Sequence, residues 1–108
     1  MTYKAKKVVI VTEKLILDGV IKIIEAAGAG GYTVVAASGK GSRGVRSADR
    51  PRVVDAFANV KIEVIVGDEA DANTIAENVA SRYFENYSGI TYLQDVEILR
   101  PQKFVKKS

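Results

Sequence analysis

The chain gathers its most distinctive chemistry into one short segment. Between Gly39 and Asp55, GKGSRGVRSADRPRVVD, five basic side chains (Lys40, Arg43, Arg46, Arg50 and Arg52) stand among Gly39, Gly41 and Gly44. Set against Asp49 and Asp55 they leave +3, which is the formal net charge of the entire 108-residue chain. The rest of the sequence is therefore balanced. Glycines let the backbone fold with its amides exposed, the Ser42 hydroxyl adds a donor, and Lys40, Arg43 and Arg46 neutralise charge, a combination suited to a phosphate. A long loop can also simply collect solvated charge. Four arginines to one lysine argue against that reading, because the planar guanidinium fork matches phosphate and carboxylate groups whereas lysine suffices for solubility.

Two nucleotide patterns come close and fail. GKGSRG fits G-x-G-x-x-G, which marks a dinucleotide site only on a strand-to-helix turn. The following VRSADRPR contains Pro51 and mixed polarity, so no helix N-terminus is available to hold phosphates there. Nor is this a Walker loop, since Gly44 is followed by Val45 and Arg46 rather than by lysine and a hydroxyl residue. The glycine and arginine ingredients remain without either motif.

Absent residue types narrow the chemistry further. The chain has no cysteine and no histidine, which removes disulfides, thiolate chemistry, most zinc ligand sets and the usual catalytic triads. No metal site is expected. Two rival functions stay open. A small phosphoryl hydrolase would hold phosphate with Arg43 or Arg46 and activate water with Asp49 or Asp55, although nothing in the spacing compels it. An RNA-binding module would use the basic loop, but the stacking motif of RNA-recognition sheets is missing and the inner strands lack paired aromatics. No apolar run approaches the roughly 20 residues of a membrane span, and the expectation is a soluble, cytoplasmic protein of a single domain.

The elements that must position the segment follow from periodicity. Lys6 to Thr12, KKVVIVT, reads as a strand apolar on both faces. Thr12 is placed as the N-cap of a helix from Glu13 to about Ala27, with Leu17, Val20, Ile21 and Ile24 as its apolar stripe and Gly28 as its stop. A strand from Tyr32 to about Ser38 leads into the basic segment. Asn59 to Val66 alternates Val60, Ile62, Val64 and Val66 onto one face. A second helix runs from about Glu69 to Tyr87, and a last strand from Thr91 to Leu99. The order is βαββαβ, a ferredoxin-like α+β fold with two helices on one face of a four-stranded antiparallel sheet. The first strand's second apolar face then needs a ligand or another subunit over it, and oligomerisation is the simpler cover. About 18 residues join the second and third strands, far beyond a hairpin's two to five. That length suggests a ligand-ordered switch, anchored at its first half and mobile from Ser47 to Ala58.

These features together carry a family resemblance. The βαββαβ order with a long loop after the second strand resembles the PII signalling superfamily. The wording VTEKLILDGVIKIIEAAGAGGYTV, GKGSRGVR and FENYSGITYLQDVEILR is similar to the PII-like, SbtB-type regulators of cyanobacterial bicarbonate transport. The similarity covers essentially the whole chain. The TGxxGDGK loop and the modifiable loop tyrosine of nitrogen-regulatory PII proteins are both missing, which favours the PII-like branch. The resemblance implies a homotrimer that binds cAMP, AMP, ADP or ATP between subunits, with a divalent cation possible beside ATP. Lys40, Gly41, Ser42, Arg43 and Arg46 would hold phosphate, Gly89 and Ile90 would present backbone to the adenine, and Arg100 would be a further phosphate partner from the same or a neighbouring subunit. The tip of the T-loop, with Ser47, Asp49, Arg50, Arg52 and Asp55, would dock on the membrane bicarbonate transporter SbtA and inhibit it. The implied protein is a regulator and not an enzyme, cytoplasmic and membrane-associated only through its partner, without nucleic acid. It departs from some relatives in ending FVKKS with no cysteine-bearing redox loop.

Overall fold

The computed structural model describes residues 1–38 and 58–100. Its elements are β1 (Tyr3–Glu13), a 3-10 turn (Lys14–Ile16), α1 (Leu17–Ala26), β2 (Thr33–Ala37), β3 (Asn59–Val66), α2 (Glu69–Tyr83) and β4 (Gly89–Ile98). The four strands form one antiparallel sheet in the order β2-β3-β1-β4.

Strand alternation sorts the side chains. Val8 and Ile10 of β1 stand opposite Val64 and Ile62 of β3, and these pack with Val20, Ile23 and Ile24 of α1 and Ala72, Ile75 and Val79 of α2. Both helices thus cover one sheet face, as the apolar spacing requires. The α1 stripe includes Ile23 among its buried residues, with Ile21 only part-buried. Gly28 stops α1 as expected: it adopts φ 84°, and its amide donates to Glu25 O at 3.0 Å. Helix α2 starts at Asp68, whose carboxylate accepts from the Ala70 amide at 2.9 Å, with Glu69 and Asp71 adding favourable charge in the first turn.

β1 begins at Tyr3 rather than Lys6, because its pairing with β4 runs on to Ile98, and three other expected boundaries differ, each for a local reason. Thr12 does not cap a helix. Its hydroxyl donates to Ser88 O at 2.7 Å, the strand continues through Glu13, and a 3-10 turn precedes α1. Helix α2 ends at Tyr83 rather than Tyr87, where a turn closes with the Tyr87 amide on Tyr83 O at 2.9 Å. β4 consequently starts at Gly89, two residues early, because Gly89 and Ile90 pair with Thr12 and Val11.

Among the described residues, no helix lies on the other sheet face. Its rows run Val35, Lys61, Val11, Ile90 and then Thr33, Glu63, Val9, Tyr92. Val9 is 1% exposed, but Val35 (49%), Ile90 (58%) and Tyr92 (40%) are open. Glu63 takes ion pairs from Lys7 and Lys61, each at 3.5 Å, in the middle of this face.

Candidate functional site

Of the candidate residues, the structure places Gly89 and Ile90 at the start of β4 and Arg100 just beyond its end. Lys40, Gly41, Ser42, Arg43 and Arg46, and the docking set Ser47, Asp49, Arg50, Arg52 and Asp55, lie outside the described residues. The points where the chain leaves and re-enters the sheet are described. Ala37, at the end of β2, pairs with Asn59, at the start of β3, and Asn59 pairs with Glu13 at the end of β1. One step along β1, Thr12 pairs with Gly89. The basic segment therefore leaves and returns at the same sheet end as Gly89 and Ile90. With strands about 4.8 Å apart, only β3 and β1 separate its exit from that pair.

Arg100 is elsewhere. β4 carries the chain nine residues from Gly89 to Ile98 at about 3.4 Å each, so Arg100 lies more than about 30 Å from Gly89 within one chain. It can join the Gly89 site only from a different subunit. At that far end lies a groove of about 690 Å³ lined by Lys4, Lys6, Glu69, Asp95 and Glu97. Its mixed charge contrasts with the net +3 of the 39–55 segment, whose two ends meet the sheet at the opposite end. The Lys6 ammonium donates to Asp95, which raises the lysine pKa and lowers that of the carboxyl.

The Gly89 end is built by residues that the sequence did not single out. Glu13 Oε2 accepts from the Ser88 amide at 2.6 Å, while Thr12, 2% exposed, holds Ser88 O. On the other flank the Lys14 amide donates to Ala58 O at 2.7 Å. Gly89 is glycine for space: a methyl there would meet Phe84 Cε1 at 2.4 Å and Thr12 Oγ1 at 2.8 Å. Ile90 presents an exposed side chain on the open face. The threonine and glutamate had a sequence signal only as the strand's last polar residues, which is too weak to separate them from helix caps.

A βαββαβ sheet with helices on one face, whose long β2–β3 connection meets the start of β4 at one end, is the PII-like arrangement. Residues 5–103 match the family model of the nitrogen regulatory protein P-II, and the chain belongs to this family, whose members are signalling regulators. Among solved structures, a chain from Thermus thermophilus described as a PII-like signaling protein is 34% identical, with 96% of this chain and 98% of that one covered at a TM-score of 0.77. CPII from Thiomonas intermedia, bound to ADP and bicarbonate, is 30% identical over 96% of this chain and 97% of its own, with a TM-score of 0.80. CPII bound to ADP, AMP and acetate is 28% identical over 98% of this chain and 99% of its own, with a TM-score of 0.79. Among the described residues, no helix is long and apolar enough to cross a membrane.

Proposed function

We propose that this chain is an SbtB-type PII-like signalling protein that senses adenine nucleotides at clefts between the subunits of a homotrimer. The observation that carries the reading is the register that brings both ends of the basic segment to the sheet end bearing Gly89 and Ile90. The related CPII structures hold ADP, AMP and acetate in one case and ADP and bicarbonate in another, which supports an adenine nucleotide here. Lys40, Gly41, Ser42, Arg43 and Arg46 hold the phosphate, and the backbone at Gly89 and Ile90 faces the adenine. Arg100 reaches a phosphate from the adjoining subunit, since the length of β4 forbids it within one chain. ATP, AMP, ADP and cAMP are candidate effectors, with a divalent cation accompanying ATP.

Signalling needs only differential binding. A nucleotide that favours one geometry of the segment shifts the population able to dock, so the protein regulates without catalysing. The docking residues are Ser47, Asp49, Arg50, Arg52 and Asp55, and the partner is the bicarbonate transporter SbtA, which brings a cytoplasmic protein to the membrane surface. That CPII binds bicarbonate as well as ADP favours a second reading, in which inorganic carbon is itself a ligand as well as the partner's cargo. Calorimetric titration with each nucleotide, with and without magnesium and bicarbonate, tests both readings. Saturable AMP or ADP binding is expected, tightened by bicarbonate if the second reading holds. Silence with all four nucleotides defeats the proposal.

The trimer has its own test. Val35, Ile90 and Tyr92 leave the helix-free face partly open, and a second copy is the cover the proposal requires. Light scattering at micromolar concentration should give three times the 11.7 kDa chain mass. Val35→Asp, which puts a carboxylate into that apolar row, should shift the mass toward one chain. A monomer in the parent protein would sink the trimer.

A further inference from the structure

Three contacts converge on consecutive residues at the end of β1. Thr12 and Glu13 hold the C=O and N–H of Ser88 at 2.7 and 2.6 Å, and the Lys14 amide holds Ala58 O at 2.7 Å. Ser88 immediately precedes Gly89, and Ala58 immediately precedes β3. The regular ladders stop at Thr12 with Gly89 and at Glu13 with Asn59, so these contacts carry both strand pairs one step past the regular ladders.

We infer that residues 12–14 form a coupling staple, with Glu13 as its positioning residue, that makes the 88–90 segment and the β3 entry at Ala58 shift as one unit. The inference rests on the nucleotide reading for its ligand-bound consequence, that occupancy at Gly89 and Ile90 is felt at Ala58. A carboxylate accepting a backbone amide is charge-assisted and outweighs a neutral hydrogen bond, so Glu13 is the main anchor. Thr12 is buried, and breaking its bond would leave a hydroxyl unsatisfied. Movement of Ser88 must therefore drag Glu13, and the next amide along the chain is the one fixed to Ala58.

Residue-resolved hydrogen exchange on the full chain tests this through crossed effects. Glu13→Ala should speed exchange of the first β3 amides, at Asn59 and Val60, by about fivefold or more, although the hydrogen bond it removes goes to Ser88. Lys14→Pro removes the donor to Ala58 and should speed exchange at Ser88 by a similar factor. Proline is tolerated there because Lys14 opens the 3-10 turn and Glu13, at φ −72° and ψ 140°, has the extended backbone required before proline. Glu13→Gln retains a carbonyl acceptor and should restore slow exchange at both places. If each variant loosens only its own contact, the staple is wrong.

AMP added to the parent protein should slow exchange at Asn59 and Val60, and Glu13→Ala should bind AMP without transmitting that slowing. Undiminished transmission in Glu13→Ala overturns the coupling. If the parent binds none of AMP, ADP, ATP and cAMP, the nucleotide reading fails and the crossed effects without ligand decide the staple alone. Should Glu13→Ala fail to fold, Lys14→Pro decides the case by its effect at Ser88.

Discussion

Arg46→Ala is expected to weaken AMP binding at least about tenfold while leaving the unfolding midpoint almost unchanged. A hydrogen bond to a charged group contributes about 1.5 to 3 kcal/mol, and about 1.4 kcal/mol is already a factor of ten in affinity. The small effect on stability follows from the sequence around it. Arg46 stands in a segment without apolar periodicity, and removing one of five clustered positive charges relieves repulsion as readily as it removes a partner. Arg43→Ala should be similar or somewhat milder. Arg52→Ala should leave AMP affinity nearly intact and weaken docking on the proposed transporter partner. Calorimetry on the three variants makes the comparison. Equal losses for Arg46→Ala and Arg52→Ala would refute the division of the segment into a phosphate-holding base and a docking tip.

Gly89→Ala should destabilise the protein by roughly 1 to 3 kcal/mol, the usual cost of overpacking. An added methyl has no free direction: it meets the Phe84 ring at 2.4 and 2.6 Å and Thr12 Oγ1 at 2.8 Å. The ring is a rigid plane, and the hydroxyl is tied to Ser88 O. The gain from replacing a flexible glycine within a strand is about 0.5 to 1 kcal/mol, smaller than the clash. Urea denaturation should show a lower midpoint with an unchanged slope. Phe84→Leu, which trims the obstructing ring, should recover much of the loss in the double variant, as expected of residues in contact. A Gly89→Ala protein as stable as its parent would show that Phe84 yields freely. Because relief of the clash must move the 88–90 backbone, AMP affinity should fall with stability in this variant, unlike in Arg46→Ala.

Much of the fold is legible wherever one periodicity runs uninterrupted. β3 occupies Asn59–Val66 as its alternation demands, with Val60, Ile62, Val64 and Val66 all buried. Gly28 ends α1 because only the positive-φ turn it permits lets the last carbonyls find donors. Junctions are where the reading errs. Thr12 has the chemistry of a helix cap and equally that of a strand side chain holding a neighbouring carbonyl, and nothing local separates the two. Ser88, 76 residues away, decides it.

The candidate site divides in the same way. By itself the sequence determined the chemical character of the 39–55 segment, since glycine, arginine and serine carry their donor capacity and charge wherever the chain takes them. It also determined the order of elements, because apolar spacing is a local property. Only the tertiary structure decided which chemistry meets which. Strand register set the exit and return of that segment beside Gly89, and the length of β4 sent Arg100 to the far end of the sheet. Side chains from the end of β1 then fixed Ser88. Pairing between strands is a non-local choice, settled by which faces can be buried together, so a position along the chain cannot state which distant backbone it will meet.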